Sequence, residues 1–379
     1  MAKNGNGEGS IYEHKRNGKK VGYRGAYTVY TAEGPKRRYV QGKTRAEVNQ
    51  KLTKAMVDRD KGFVFDDENM SVGEYLDRWL SDCVRDSVRQ STFDRDSYLV
   101  CSHIKPTLGR IKLNKLSPVH VQAFYRHRLD AGGLSASTVN KIHTVLHKAL
   151  SQAMQWDLIP RNVTEAVKAP RPGGKEVRPL SPEQAKTLLE AVRGDRLEAL
   201  YVVAIATGLR QGELLALKWE DVELENGIIR VKRTLTRTGG KYTVGPPKSN
   251  RSRSVGLTKR AVEALRTHLS LQLEEMERIG SLYQPGGLVF ANNSGGTINP
   301  SNLRQRSLAP LLKKAGLPHI RFHDLRHTCA TLLLSRNVNP KIVSEMLGHA
   351  SIAITLNTYS HVLPTMQHDA VQALEEALK

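Results

Sequence analysis

The chain is poor in features that define several classes of protein. Among its 379 residues are only three cysteines, Cys83, Cys101 and Cys329, and they lie far apart. An odd number at such spacing argues against a disulfide framework or a paired-cysteine metal site. No stretch approaches the roughly 18 uninterrupted apolar residues of a transmembrane helix, and no apolar segment follows the first charges, as it would in a secretory signal. We therefore expect a cytoplasmic protein without a membrane partner.

Acidic residues are also scarce relative to basic ones. The chain has 58 Lys and Arg against 37 Asp and Glu, a formal net charge of +21, and the basic residues are spread along its whole length. Such an excess predicts a polyanionic partner, most simply nucleic acid. A basic protein that is merely soluble remains the alternative at this level.

The length is too great for one ordinary core and implies two or three domains. Two stretches are typical of linkers: the acidic FDDEN at 65–69, and APRPGGKEVRP at 169–179, which has three prolines and two glycines. We therefore predict domains at 1–65, 70–169 and 175–379.

The first domain is expected to be a small sheet backed by one helix. In YRGAYTVYTAEGPKRRYVQGKT, aromatic or β-branched residues alternate with polar ones around a turn signal at 33–35, and helical spacing of apolar residues follows. Its basic residues are too many for a core, so we interpret the domain as a DNA-binding module, against the alternative of a solvated basic face. The DNA-binding candidates here are Lys19, Lys20, Arg24, Lys36, Arg37 and Arg38.

The second domain is expected to be all helical. Ser71 and Glu74 have the spacing of a capping box, Ser117 precedes a proline suited to the first helical position, and Ser135 precedes a long apolar repeat. A further helix is predicted over 92–104. The DNA-binding candidates on these helices are Arg126 and Lys141, whose role depends on context because polar helix faces are usually just solvated.

The third domain is expected to be mainly α-helical with a small sheet. Its segments 227–233, 241–245 and 251–257 predict a three-stranded antiparallel meander, and a long helix follows from 258 to 279. The patterns together predict an α+β multidomain fold, in which this third domain is the largest.

The segment HDLRHTCATLLLSR raises a question of electrostatics. His323 and Arg326, three residues apart, lie on one face at the head of an apolar helix, where the helix dipole disfavours cations. If an anion binds there, its interactions with the helix dipole and with both side chains are favourable. The segment therefore predicts an anion site.

Three other segments supply residue types that suit phosphoryl transfer. ATGLRQGELLALKW contains Arg210 and Glu213, GPPKSNRSR contains Lys248, and NPKIVSEMLGHASIAITLNTYSHV contains His349 and Tyr359. Arginines clamp phosphate oxygens, a lysine protonates a leaving alkoxide, histidines move protons, and a tyrosine acts as a nucleophile. Singly each residue is more often structural, but the set is harder to dismiss. No carboxylate cluster is present to hold Mg²⁺.

The arrangement resembles the tyrosine recombinase family, specifically the phage-type integrases. ATGLRQGELLALKW is similar to the family's first motif, and HDLRHTCATLLL and LGHASIAITLNTYSHV are similar to its second. The resemblance covers the whole third domain and, more loosely, a core-binding helical domain and an N-terminal arm-binding module. Motifs spread in order over so long a stretch are far more specific than one short pattern.

The resemblance implies a role for each matching residue. Arg210 and Arg326 would clamp the scissile phosphate. Lys248 would protonate the leaving 5′-hydroxyl, although neighbouring lysines flank the same hairpin. His323 would accept the proton of the nucleophile, and His349 would donate a hydrogen bond to the phosphate.

The nucleophile implied by the resemblance is Tyr359, with Glu213 orienting the first arginine. Attack on DNA would give a 3′-phosphotyrosyl intermediate and a free 5′-hydroxyl, with no cofactor or metal. The implied partners are double-stranded DNA with core-type and arm-type sites, a homotetramer on that DNA, a host DNA-bending protein and an excision factor. The final segment, 369–379, would be a helix packed within its own chain or on a neighbouring protomer.

Three alternatives remain open at the level of sequence. A DNA-binding regulator with a recombinase-like domain that does not cut would be expected to have lost a catalytic residue. A metal hydrolase could use His323, His327, His349 and His361, but lacks a glutamate between the first pair. A type IB topoisomerase would share the chemistry without the arm-binding module.

Overall fold

The computed structural model describes residues 9–16, 19–31, 34–60, 70–131, 133–173, 178–247, 252–359, 371 and 374–378. The chain divides into two compact units, Met1–Gly174 and Lys175–Lys379. Both combine helices with, at most, small antiparallel sheets. Among the described residues, no helix is long and apolar enough to cross a membrane.

The N-terminal part of the first unit is the predicted sheet and helix. Strands β1 (Ser10–Arg16), β2 (Lys19–Thr31) and β3 (Gly34–Gly42) pair antiparallel in that order, and α1 (Arg45–Asp60) follows. The predicted pairing of strands is confirmed, but Gly34 and Pro35 of the predicted turn already belong to β3, and residues 32–33 between the strands lie outside the described residues. The core is small, with Tyr27 and Val29 of the sheet buried together with Leu52 of α1.

The basic candidates of this sheet do not share one face. Arg38 and Lys36 lie opposite Tyr27 and Val29 in the register, so they belong to the face covered by α1. Arg37 and Arg24 alternate to the other face, where the Arg24 guanidinium lies 4.0 Å from the centre of the Tyr39 ring. Lys19 is exposed, and the exposed Lys20 pairs with Glu13 at 2.6 Å.

The rest of the first unit is helical, as predicted. Its helices are α2 (Val72–Trp79), α3 (Gln90–Leu99), α4 (Lys105–Leu108), α5 (Pro118–Asp130) and α6 (Ala136–Gln155). The capping box at Ser71 is confirmed, and Ser117 and Ser135 cap α5 and α6. The helix predicted over 92–104 begins at Gln90 and continues beyond Leu99 as a π-helical segment.

The core of these helices depends on α6. Val139, Ile142 and Leu146 are fully buried, and the Tyr75 hydroxyl donates a hydrogen bond to the Ala149 carbonyl, which joins α2 to α6. Arg126 and Lys141 remain exposed. The apolar spacing read from the sequence therefore identifies the buried face correctly.

The second unit contains the remaining elements. They are α7 (Pro182–Ala191), α8 (Glu198–Thr207), α9 (Gln211–Leu214), β4 (Val222–Glu223), β5 (Ile228–Val231), β6 (Thr234–Thr238), β7 (Lys241–Gly245), β8 (Arg253–Gly256), α10 (Lys259–Ile279), α11 (Pro300–Asn302), α12 (Ala309–Lys314), α13 (Phe322–Leu334), α14 (Pro340–Leu347) and α15 (Ile352–Thr358). Helix α8 is buried on nearly every side and packs against α10 and α13. It therefore forms the centre of this core.

The predicted three-stranded meander is wrong in its composition. A three-stranded antiparallel sheet exists, but its order is β4, β5, β8, while β7 pairs with β6 in a separate hairpin. The turn of that hairpin is Gly239-Gly240, both with positive φ, between Thr238 and Lys241. Two glycines in a two-residue loop are a hairpin signal, which the sequence analysis missed because TLTRT lacks alternating apolar residues.

Candidate active site

Four helices of the second unit bring the candidate residues together. Arg210 precedes α9, Glu213 lies in it, and His323 and Arg326 lie in the first two turns of α13. His349 follows α14, and Tyr359 follows α15. The Arg326 guanidinium interacts electrostatically with Arg210, Glu213 and Tyr359, so these groups form one cluster. Lys248 lies outside the described residues.

The first arginine is held by a buried carboxylate. Arg210 Nη1 donates to Glu213 Oε1 at 2.8 Å, and the other carboxylate oxygen accepts the Arg210 backbone N–H at 2.9 Å. Glu213 is 3% exposed, which alone would raise the pKa of its carboxyl. Hydrogen bonds and charges from Arg253 and Arg210 outweigh that effect and hold the pKa below its usual value. Glu213 is therefore ionised at neutral pH.

Arg253 is a site residue that the sequence analysis missed. From β8 it forms two hydrogen bonds with Glu213, at 3.2 and 2.7 Å, and its Nε donates to the Met346 carbonyl at 2.9 Å. It thus joins α9 to the end of α14, next to His349. Its only sequence signal was the basic run RSR, which did not distinguish it from surface arginines.

Two glycine carbonyls fix the guanidinium groups. Arg210 Nη2 donates to the Gly348 carbonyl at 3.0 Å, and Arg326 Nη1 donates to the Gly208 carbonyl at 2.8 Å. Both glycines end helices in the left-handed conformation, with φ of 68° and 62°. Glycine is common at such helix ends, because it adopts positive φ without strain.

Arg326 is buried yet incompletely satisfied. It is 3% exposed, and among the described residues its Nη2 has no hydrogen-bond partner. Burial lowers the pKa of its guanidinium to about 10, and the charge of Arg210 acts in the same direction. A buried donor without an acceptor is costly, so the site is electrostatically suited to an anion placed between the two arginines.

The tight packing around Gly208 gives a stability prediction. A Cβ at this position would lie 2.5 Å from Leu347 Cδ2, whereas at Gly194, also left-handed with φ of 76°, it would meet nothing within 4 Å. We expect Gly194→Ala to lower the free energy of unfolding by about 1 kcal/mol through backbone strain. Gly208→Ala should cost roughly 1–3 kcal/mol more through overpacking. Chemical denaturation of both variants measures the difference, and equal losses would show that the Leu347 side chain simply moves aside.

The helix carrying His323 and Arg326 has an acidic residue that compensates its dipole. Asp324, buried in the first turn, accepts hydrogen bonds from the Arg321 backbone and side chain. The unfavourable placement of cations noted in the sequence is thus partly offset within α13 itself. Arg326 Nη2, which has no partner among the residues that the structure describes, can still donate to an external anion.

The three histidines of the site have lowered pKa values. Burial is the first cause for each, and neighbouring positive charges add to it. The pKa values of His327 and His349 are each lowered to about 4, and that of His323 is lowered as well, although this residue is partly open to solvent. All three rings are therefore mainly neutral at pH 7. His349 Nδ1 pairs with the Thr355 hydroxyl at 2.7 Å, which fixes its orientation.

Tyr359 contacts a histidine other than the expected one. The Tyr359 hydroxyl lies 2.8 Å from His327 Nδ1, while the structure gives no hydrogen bond between Tyr359 and His323. The His323 ring stands perpendicular to the His327 ring, with centroids 4.9 Å apart. Tyr359 is 1% exposed, and burial raises the pKa of its phenol to about 12. The i,i+4 spacing of the histidines was the available signal, and it was considered only for metal binding.

Among the described residues, no group of three or more His, Cys, Asp and Glu side chains is arranged to hold a metal ion. His361, the fourth histidine considered for such a site, lies outside the described residues. Within the described part, His327 and His349 direct Nδ1 to hydroxyl groups.

Comparisons with known proteins place this geometry in a family. The chain matches the phage integrase family model over residues 178–366 and the N-terminal SAM-like domain of phage integrases over residues 71–129. It is 33% identical to a XerC-like tyrosine recombinase of Caldanaerobacter subterraneus, over 95% of this chain and 97% of that protein. The chain belongs to the phage integrase family of tyrosine recombinases. It is a site-specific recombinase.

Other proteins similar to this tyrosine recombinase are named integrases. It is 30% identical to an integrase of Streptomyces ambofaciens, over 87% of this chain and 86% of that protein. It is 28% identical to the ICEBs1 integrase of Bacillus subtilis, over 79% of this chain and 81% of that protein. The Tn1549 transposon integrase in complex with transposon right end DNA has a similar fold, with a TM-score of 0.67 and 23% identity, covering 81% and 100% of the two chains.

Proposed function

We propose that this recombinase cuts and rejoins DNA through a covalent bond between Tyr359 and a 3′-phosphate. The observation that carries the proposal is the pair of fixed guanidiniums, Arg210 and Arg326, of which Arg326 is near the Tyr359 phenol. Within the part of the chain that the structure describes, the buried Arg326 Nη2 has no hydrogen-bond partner. Phosphoryl transfer needs positioning and neutralisation of the phosphate charge above all. Because the phosphotyrosine retains the energy of the broken bond, the reaction needs no ATP.

The remaining candidates complete the chemistry. His349, held by Thr355, would donate its other ring N–H to the phosphate. Lys248 would protonate the 5′-oxygen as it leaves, and Glu213 would keep Arg210 in its clamping orientation. His323, exposed at the head of α13, is the proton acceptor that the resemblance implies, although the structure gives it no hydrogen bond to Tyr359.

The proposed substrate is double-stranded DNA at core-type and arm-type sites, bound by a homotetramer in the cytoplasm. The net charge of +21 supports a polyanionic partner. A lambda integrase tetramer bound to a Holliday junction has a similar fold, with a TM-score of 0.58. The proposed domains at 1–65 and 70–169 would contact arm-type and core-type sites, and a host DNA-bending protein and an excision factor would set direction.

In this proposal, exposed basic side chains of the first unit contact phosphates, while Arg24 and Arg38 are only partly accessible. Arg37 and Arg24 would act from the sheet face away from α1. The similarity to proteins named ICEBs1 integrase and Tn1549 transposon integrase supports integration and excision of a mobile element as the biological role.

Covalent trapping on nicked duplex DNA from the regions flanking the gene tests this proposal. In the presence of EDTA, the native protein should form a DNA adduct that survives a denaturing gel, and Tyr359→Phe should form none. Binding by Tyr359→Phe in a gel shift controls for folding. A native protein that binds these DNAs without forming an adduct would instead support the regulator that does not cut, and an EDTA-sensitive reaction would support a metal hydrolase.

A further inference from the structure

The arrangement around the Tyr359 phenol assigns a role to a residue outside the six expected catalytic positions. His327 lies next to Arg326 on α13, and its Nδ1 is 2.8 Å from the Tyr359 oxygen. The two rings are 5.7 Å apart between centroids, so the contact is made by the polar edges. His323, expected to accept the proton, has no such contact.

We propose that His327 accepts the phenolic proton of Tyr359 during attack on the scissile phosphate. This inference rests on the proposed function and specifies its proton transfer. The O–H bond of Tyr359 breaks and its proton moves to His327 Nδ1 while the phenolic oxygen bonds to phosphorus. The phosphorus bond to the 5′-oxygen breaks, and that oxygen takes a proton from the general acid, proposed as Lys248.

The second half of the reaction reverses these transfers. An incoming 5′-hydroxyl attacks the phosphotyrosine, and the departing phenolic oxygen recovers its proton from the His327 imidazolium. The 5′-hydroxyl gives its proton to the now neutral general acid. Each group returns to its starting state, so no outside acid or base is consumed.

The protonation states suit this role. A hydrogen bond from the phenol to Nδ1 requires a neutral ring with its proton on Nε2. Burial, followed by the interaction with the neighbouring His323 imidazole, lowers the pKa of His327 to about 4. A phosphate between Arg210 and Arg326 would offset part of the surrounding positive charge and raise this pKa as the substrate binds. His327 would thus become a stronger base once the substrate is bound.

Position on the helix links this base to the clamp. Arg326 and His327 are consecutive residues of one helix, and the Arg326 guanidinium is near enough to the Tyr359 phenol to lower its pKa. The residue that would bind the phosphate and the residue that would accept the proton are therefore neighbours on one helix. Because Tyr359 is 1% exposed, its hydroxyl must be uncovered toward this phosphate before attack.

The test compares His327→Asn, His327→Ala and His323→Asn in single-turnover adduct formation on nicked duplexes made from the ends of the element. Asparagine keeps an oxygen near the position of Nδ1, so it can hold the phenol but cannot take its proton. We expect His327→Asn and His327→Ala to be at least about 100-fold slower, with a rate that rises with pH where the native rate is flat. His323→Asn should retain the native pH profile.

A second substrate separates the base from the acid. With sulfur in place of the bridging 5′-oxygen, the leaving group needs no proton, and the general acid is no longer required. His327 acts on the phenolic proton instead, so this substrate should not restore the rate of the His327 variants. Gel-shift affinity and unfolding temperature control for folding of each variant.

Several results would overturn the inference. Native rates in His327→Asn with a defect in His327→Ala would show a positioning role alone. Rescue of the His327 variants by the sulfur substrate would show that His327 acts on the leaving group. If His323→Asn showed the rate loss and the pH response instead, His323 would be the proton acceptor. A native protein that forms no adduct on these ends would overturn the proposed function as well, whereas an adduct lost only in Tyr359→Phe would preserve that function without the inference.

Discussion

Replacing Arg326 with methionine should reduce DNA cleavage by at least about 100-fold, the effect of removing one preorganised transition-state donor. The same change should leave the free energy of unfolding unchanged or higher. Arg326 is 3% exposed, has one nitrogen without a partner among the described residues, and is close to the like charge of Arg210. Replacing such a buried charge by an apolar side chain of similar length is often neutral or stabilising.

One loss opposes that stabilisation, because the Gly208 carbonyl would lose its donor at a cost of about 1 kcal/mol. Adduct formation and chemical denaturation measure the two effects separately. Arg336→Met, an exposed position just beyond α13, is the control for loss of a charge and should change stability little. A clear fall in the stability of Arg326→Met would show that this arginine is mainly structural.

Replacing Glu213 with glutamine should destabilise the protein and slow cleavage together. The buried carboxylate is shared by Arg210 and Arg253, so its neutralisation leaves two positive charges facing each other. We expect a loss of about 3 kcal/mol at pH 7, as when one partner of a buried ion pair is removed. Cleavage should fall because Arg210 is no longer held toward the phosphate.

The pH dependence of this effect has a definite sign. Burial opposes ionisation of Glu213, but the arginines lower its pKa below the ordinary value of 4.5. The stabilisation by the carboxylate is therefore fully present above pH 4.5 and is lost as the pH falls through the lower, folded-state value. The stability difference between native protein and Glu213→Gln should shrink in acid.

Chemical denaturation at neutral and acidic pH tests this expectation. The matched control is Glu225→Gln, since Glu225 is an 88% exposed partner of Arg266 and should contribute less than about 1 kcal/mol. A difference for Glu213→Gln that stays constant with pH would mean that its charge does not stabilise the fold.

Local signals in the sequence determined where helices begin and end. Ser71, Ser117 and Ser135 cap helices as predicted, because a cap needs only the side chain and the next few backbone N–H groups. The partner of strand β7 was not predicted, since pairing depends on a second segment whose threonine-rich sequence carries no alternating pattern.

The sequence by itself determined the family and the types of residue in the site. The tertiary structure alone decided which of them meet. Arg326 and Gly208 are 118 residues apart, Arg210 and Gly348 are 138 apart, and Arg253 reaches Glu213 across 40 residues. Two histidines four residues apart look alike in the sequence, but only the packing of α13 against the end of α15 places His327 on the Tyr359 hydroxyl. Contacts between distant segments follow from core packing, which no local pattern encodes.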